Sequence, residues 1–278
     1  MEWFEAVLLG LIQGLTEFLP VSSSGHLEIG KVLLGVETTD DLLFTTMVHA
    51  ATVLSTVVVF RRQIWDLLKG FFCGLKEVKV KDKTLVCNDQ TDYLLKMVVS
   101  MVPIFVVGMF FKDQVEALFG SIKVVGYSLL ATSALLVFSD LASKRPAREG
   151  APVYRNGISY WQALVVGLGQ ACAVIPGLSR SGTTISSGLI CGVKREVMAQ
   201  FSFLMVLVPI LGETFLEIVG GEFGASSVGA IPLALGFLSA FLSGLFACKV
   251  MIALVRKARL SWFALYCLLV AAAIFIFA

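Results

Sequence analysis

The chain has 278 residues, of which 57% are hydrophobic and 15% charged, with 21 phenylalanines; that balance marks an integral membrane protein and excludes an ordinary soluble domain. The net charge of +2 leaves no basic surface for nucleic acid, so no nucleic-acid partner is expected. Six cysteines without a close pair or a CxxC spacing indicate neither a disulfide framework nor a zinc site. The opening "MEWFEAVLLG" lacks a basic n-region and a small-residue cleavage site, so this first apolar segment is expected to stay.

In chain order, residues 3–36 hold an apolar run of about 14 residues, a Pro/Ser/Gly break, and about 12 more. Each half falls short of the roughly 20 residues a crossing helix needs, which predicts a re-entrant helix hairpin. Span-length apolar runs follow at 42–60, 92–111 and 121–141, with a long loop at 61–91. A linker at 142–158 leads to a second broken segment at 159–193 and to spans at 198–219, 228–250 and 260–278. Shifting the chain by 157 residues aligns 6–36 with 163–193 without a gap, with identities that include Gly10/Gly167, Gln13/Gln170, Ser22/Ser179, Ser24/Ser181, Gly25/Gly182 and Gly35/Gly192. An odd number of spans separates the two copies, so they must enter from opposite faces. The fold class expected is an all-α polytopic membrane protein. Its inverted-topology repeat comprises residues 1–141 and 159–278, each half a re-entrant hairpin plus three transmembrane helices.

Lys and Arg placement agrees. Eight fall between Arg61 and Lys96, four between Lys144 and Arg155, two at Lys194 and Arg195, and four between Lys249 and Arg259, all on one assigned side, against Lys31, Lys112 and Lys123 on the other. The positive-inside rule then puts the 61–91 loop and the 142–158 linker in the cytoplasm, and both termini and the base of the first hairpin outside. The remaining basic residue, Arg180, falls at the tip of the second hairpin. Irregular backbone at that depth is tolerated only where it lines a cavity.

The two breaks carry the chemistry. Gln13 and Glu17, four apart, share a helix face just before Leu19-Pro20 ends the first half-helix. Ser22, Ser23, Ser24 and Gly25 can turn backbone amides and a helix N-terminus into the cavity, an anion site, with His26 in the next turn. The second copy offers Ser179, Arg180, Ser181, Gly182, Thr183 and Thr184 in the same places, with a guanidinium where the first has Ser23. Intramembrane Glu17 and Arg180 are costly unless they function. Gln13 and Gln170 read equally well as partners for a carbonyl freed by the break. His49 reads as a packing residue or as a support behind the residues of the site. Glu213 and Glu217 read as snorkelling to the outer interface, and the acidic 37–41 and basic 76–83 stretches as solvated.

"QGLTEFLPVSSSGH" and "PGLSRSGTT" resemble the two motifs of the bacterial undecaprenyl-diphosphate phosphatases, also called bacitracin-resistance proteins, and the similarity runs through nearly the whole chain. The resemblance implies an enzyme of the bacterial cytoplasmic (inner) membrane whose site opens to the periplasmic face. Its reaction would be hydrolysis of the C55 isoprenyl diphosphate to the monophosphate, returning the lipid carrier to cell-wall synthesis. By the same analogy a divalent cation, Mg²⁺ or Ca²⁺, is expected on Glu17. Carried over, Glu17 and Gln13 match the acidic motif, Ser22, Ser23 and His26 the first tip, and Ser179, Arg180, Ser181 and Thr184 the second. Gln13 stands where the motif also allows Glu, which leaves Glu17 as the one carboxylate for the ion. Catalytic roles fall to Glu17, His26, Arg180 and Ser23. The nucleophile is a serine, His26 or a water that His26 activates. Ser22, Ser24, Gly25, Ser179, Ser181, Gly182, Thr183, Thr184 and Gln13 are expected to bind substrate.

The partners expected are the C55 lipid and membrane lipid, with a homodimer left open. The rival function is a transporter or flippase of an anionic or lipid-phosphate ligand, because opposed broken helices are also transporter architecture. A carrier needs no general base, and His26 beside Glu17 at one anion site favours the enzyme.

Overall fold

Both broken segments stop and restart their helices with the same devices. In a computed structural model that describes residues 1–36, 42–74, 79–81, 84–86, 88–119, 121–144, 154–212, 228–257 and 259–277, α1 (Trp3–Thr16) and α2 (Ser23–Leu34) form the first pair. Helices α7 (Tyr160–Cys172) and α8 (Arg180–Ile190) form the second. The serine before each second helix caps it: Gly25 N donates to Ser22 Oγ at 3.3 Å and Gly182 N to Ser179 Oγ at 3.1 Å. Each second helix then ends on a left-handed glycine, Gly35 (φ 68°) and Gly192 (φ 81°). There the next amide reaches back to a carbonyl five residues earlier, Val36 N to Lys31 O at 3.0 Å and Val193 N to Gly188 O at 2.9 Å. The sequence repeat is thus a repeat of local backbone as well.

Between and after the pairs lie α3 (Leu42–Gly74), a two-stranded antiparallel ladder of β1 (Lys79–Lys81) and β2 (Thr84–Val86), α4 (Asp89–Phe110), the short α5 (Lys112–Glu116), and α6 (Ile122–Ser143). The second half adds α9 (Arg195–Met205, with helix resuming to Gly212), α10 (Ala230–Lys257) and α11 (Ser261–Phe277). Among the described residues five helices are long and apolar enough to cross a membrane, and α11, with 17 residues, sits at the short end of the spanning range. The protein is therefore a multi-pass helical membrane protein. Its outer surface is clad in exposed Phe, Leu, Ile and Val, and all four tryptophans are exposed, as lipid contact and interfacial anchoring require.

Three expectations are corrected. The helix expected to end at residue 60 runs on to Gly74, so 61–91 is not simply a loop. Ile64 and Leu67 continue the buried stripe past Arg61 and Arg62, while Trp65, Asp66, Leu68 and Lys69 face outward. Residues 79–81 of the basic 76–83 stretch, expected to be simply solvated, pair with 84–86 in the short β1–β2 ladder, a local addition to an all-helical fold. Finally, α1 stops at Thr16, which makes Glu17 its C-cap rather than a residue inside the helix. The 37–41 stretch, residues 145–153 of the linker, and the part of the 198–219 span beyond Gly212, with Glu213 and Glu217, lie outside the described residues.

Packing between the halves is reciprocal. The first pair packs through α1 onto α10, the second through α7 onto α4, and α6 packs on α11. Glycine makes the close approaches. A Cβ on Gly10 would lie 2.4 Å from Gly236 O, and one on Gly167, its repeat partner, 2.1 Å from Ser100 O. Both obstacles are backbone atoms and cannot swing aside. Gly167→Ala is therefore expected to destabilise by about 1–3 kcal/mol, read as a lower thermal midpoint in detergent. Gly108→Ala, whose Cβ meets nothing within 4 Å, should leave the midpoint unchanged or raise it.

On the helix ends rich in Lys and Arg, buried carboxylates tie elements together. Asp140 of α6 accepts from Arg195 at 2.5 Å and from Ser261 at 3.0 Å, joining α9 and α11. Asp92 of α4 holds Lys96 at 2.6 Å and accepts from Tyr160 at 2.9 Å and Asn156 at 3.1 Å, anchoring the entry to the second pair.

Candidate active site

The two breaks touch. Ser181 Oγ donates across to Leu19 O at 3.0 Å. A Cβ on Gly25 would meet Gly177 Cα at 3.2 Å, and one on Gly182 would meet Pro20 at 3.3 Å. Pro20 and Gly177 interrupt their helices, and the polar backbone this frees is satisfied inside the protein: Ser179 N donates to Thr132 Oγ1 at 3.1 Å. Ser22 sits at φ 70° and ψ 98°, outside the regions a serine prefers. Strain of that kind costs on the order of 1–3 kcal/mol and clusters at functional sites.

Glu17 lies where the breaks meet. Its Oε2 accepts from Ser23 Oγ at 2.5 Å and from Gln13 Nε2 at 2.9 Å, and His49 Nε2 stands 3.9 Å away. A carboxylate buried in apolar surroundings is kept by such donors, and the 2.5 Å bond from Ser23 is short even for a hydroxyl on a carboxylate. Glu17 lines one cleft with Arg180, Gln170, Thr52, Thr56, Ser181, Thr184 and Ser202, walled on the apolar side by Phe18, Phe203, Leu207 and Ile210. Arg180 is the first residue of α8, and no described side chain bonds its guanidinium. A carboxylate and an uncommitted guanidinium across one narrow cleft, with helix N-terminal amides nearby, form a receptor for an anion.

The expected site residues separate into three sets. Glu17, Arg180, Ser181 and Thr184 line the cleft, with Gln13 and Ser23 attached to Glu17. Ser22, Ser24, Gly25, Ser179 and Gly182 build the two turns; Ser22 and Ser24 lie 3.3 Å apart and Ser179 and Ser181 3.4 Å apart through their hydroxyls. Thr183 Oγ1 is buried without a partner. His26 is not drawn to Glu17. Its Nδ1 lies 2.7 Å from Ser22 O and its Nε2 2.8 Å from the Tyr266 hydroxyl, against whose ring it stacks at 5.5 Å. The Ser22 carbonyl can only accept, so Nδ1 carries a proton and donates to it, while the Tyr266 hydroxyl can serve Nε2 as donor or acceptor.

The imidazole beside Glu17 is instead that of His49, whose Nδ1 faces Thr45 O at 3.0 Å. Sequence reasoning gave it only a packing or supporting place, and passed over Thr52, Thr56, Ser202 and Tyr266. A signal was present for three of these: His49, Thr52 and Thr56 recur at helical spacing within an apolar span, a polar stripe that such a span carries only toward a cavity or a partner. Ser202, which meets Thr184 Oγ1 at 2.6 Å, and Tyr266 had no such pattern.

For a divalent cation the donor set is lean. Among the described residues no three His, Cys, Asp or Glu side chains converge. Glu17 is the one carboxylate in the cleft, and its hydrogen bonds all fall on Oε2, leaving Oε1 open. That arrangement fits an ion held by one carboxylate together with ligand phosphates, the manner usual for Mg²⁺, and does not fit an all-protein cage.

Residues 6–273 match the family described as "Bacitracin resistance protein BacA". A Bacteroides fragilis protein named undecaprenyl-diphosphatase is 49% identical over 274 residues, covering 97% of this chain and 96% of its own. One from Parabacteroides distasonis with the same name is 49% identical over 271 residues, 96% and 95% of the two chains. One from Korarchaeum cryptofilum, also so named, is 36% identical over 275 residues, 99% and 98%.

Proposed function

The chain belongs to the bacitracin resistance protein BacA family, and on that premise we propose that it hydrolyses undecaprenyl diphosphate to undecaprenyl phosphate and inorganic phosphate. It is a membrane phosphatase, and this reaction recycles the lipid carrier for cell-wall synthesis and confers bacitracin resistance. The observation that carries the reading is the single cleft holding Glu17, with Ser23 bonded to it at 2.5 Å, opposite Arg180.

In the proposed reaction Ser23 Oγ attacks the terminal phosphorus as its proton passes to Glu17. The bond from that phosphorus to the bridging oxygen breaks, and undecaprenyl phosphate leaves with the electron pair. A phosphate monoester has a second pKa of about 6, so it departs as an anion and needs no general acid. Water then attacks the phosphorus of the phosphoserine, the bond from phosphorus to Ser23 Oγ breaks, Glu17 returns to Ser23 the proton it took, and the water's two protons leave on the inorganic phosphate as dihydrogen phosphate. Arg180 donates to the phosphoryl oxygens as their charge redistributes, and amides at the α8 N-terminus support it. His26 serves as a positioning residue, holding the strained Ser22 turn against Tyr266 of α11. Glu17 Oε1 would hold the divalent cation, Mg²⁺ or Ca²⁺, which supplies charge neutralisation on the diphosphate when bound. Purified protein is expected to release phosphate from a polyprenyl diphosphate, and EDTA is expected to abolish the release until Mg²⁺ or Ca²⁺ is added back. Metal-replete protein that releases none would overturn the hydrolase reading.

The topology proposed is the inverted repeat in the cytoplasmic membrane, both hairpins re-entrant and the site open to the periplasmic face. It is supported by the placement of 18 of the 22 basic residues on one side and by the reciprocal packing of α1 on α10 and α7 on α4. In a chain stripped of its own cysteines, Glu2→Cys and Val36→Cys, which flank the first hairpin, should both react with an impermeant maleimide from outside. Tyr154→Cys and Lys194→Cys, which flank the second, should react only after lysis. Opposite accessibility within either pair means that hairpin crosses the membrane, and the re-entrant topology is then wrong.

A further inference from the structure

Gln170 is fully buried, and neither oxygen nor nitrogen of its carboxamide has a hydrogen-bond partner. Its repeat partner Gln13 donates to Glu17 four residues on. In the second copy position 174 is Val174, so the acceptor that pairs the nitrogen of the first glutamine, whose Oε1 is also unpaired, has no counterpart. The side chain lines the same cleft as Glu17 and Arg180. A buried amide with both ends unpaired costs more than an apolar residue of the same shape would, so a glutamine here is accounted for when something else supplies its partners. The same cleft holds one cation, Arg180, whose guanidinium makes no hydrogen bond to a described side chain, whereas the hydroxyls of Thr52, Thr56, Ser181 and Thr184 already donate to backbone carbonyls. A free amide beside a cation selects a ligand rich in acceptors.

We propose that Gln170 is a substrate-positioning residue whose amide nitrogen donates to a phosphoryl oxygen of the diphosphate, alongside Arg180. This rests on the hydrolase reading, and it adds a specificity element from the second half of the chain. The side chain is closed to water in the narrow cleft, so the amide bonds strongly once the phosphoryl group enters, and it discriminates against a group that brings no acceptor. Gln170 does not react; it fixes where the diphosphate sits, so its loss falls on KM more than on kcat.

The test compares Gln170→Leu and Gln170→Glu with wild type, by kinetics on a polyprenyl diphosphate and by the rise in thermal midpoint that inorganic pyrophosphate produces. Gln170→Leu is expected to keep or raise the midpoint of the free protein, because an unpaired buried amide is removed. It should also lose most of the pyrophosphate-induced rise and increase KM roughly 10-fold or more. Gln170→Glu, which sets a carboxylate against the phosphate, should be worse on both measures. A Gln170→Leu protein with wild-type KM and wild-type pyrophosphate protection overturns the assignment, as does one whose free midpoint falls in step with its activity, which marks a structural role. If wild type releases no phosphate at all, the hydrolase reading fails, while the pyrophosphate shifts still decide whether Gln170 binds an anion.

Discussion

Arg180→Lys is expected to release phosphate roughly 100-fold more slowly than wild type or worse, a loss of about 3 kcal/mol of transition-state stabilisation, and to be nearly as damaged as Arg180→Ala. A lysine retains the positive charge but replaces a planar fork of donors with one ammonium, which cannot span two phosphoryl oxygens in fixed geometry. The loss should fall on kcat with a smaller change in KM, because charge on the phosphoryl oxygens redistributes as the reaction proceeds. Folding should be spared in Arg180→Lys, since the positive charge that faces the buried Glu17 is kept and the Arg180 carbonyl that receives Thr184 at 2.9 Å is untouched. A carrier that binds and moves its ligand has no chemical step to lose. Equal damage to transport in vesicles, without any phosphate release by wild type, would return the carrier reading. An active Arg180→Lys enzyme would leave the reaction standing and remove Arg180 from its transition state.

Much of the architecture was written in composition and spacing. The half-helix lengths, the breaks at Pro20 and Pro176 and the capping serines Ser22 and Ser179 are local features, and local physics decided them. The spans at 92–111, 121–141 and 228–250 correspond to helices at Asp89–Phe110, Ile122–Ser143 and Ala230–Lys257. The continuation of α3 to Gly74 was missed because two adjacent arginines look like the end of a span, while Ile64 and Leu67 keep the helix attached to the core beyond it. At the site, Glu17, Ser23 and Arg180 were legible because polar residues inside apolar segments stand out. Which of them would meet was not. The turning of His26 toward Tyr266, 240 residues away, depends on how helices distant in sequence pack, whereas the pairing of Ser23 with Glu17, six residues apart, depends on the path of the strained turn between them. His49 reaches Glu17 through helix packing as well; the stripe it forms with Thr52 and Thr56 marks a polar face but not what that face meets.

The short bond from Ser23 to Glu17 makes the largest predicted effect one of coupling. Ser23→Ala removes the proposed nucleophile and Glu17→Gln its proposed base, and each alone is expected to lower kcat by roughly 10³-fold or more, the scale on which members of a catalytic unit fail singly. The double variant should be little worse than either single variant, because a base without its nucleophile, or a nucleophile without its base, already contributes almost nothing. Multiplying losses would mean that the two act separately, for instance with Glu17 serving only a cation and Ser23 only binding phosphate. The singles carry their own control. Glu17→Gln keeps a group of the same shape that can still accept from Ser23 and Gln13 through its carbonyl, so the thermal midpoint should move little. Ser55→Ala provides the contrast, since it removes the 2.8 Å bond from the buried Ser55 hydroxyl to Phe241 O at a position outside the cleft. It should lower the midpoint while leaving kcat within several-fold of wild type. If Ser23→Ala retains activity, attack by water is the surviving route, with Glu17 as the base that activates it. In that case Glu17→Gln must still abolish turnover, and the Ser23 hydroxyl is reduced to orienting the carboxylate it touches.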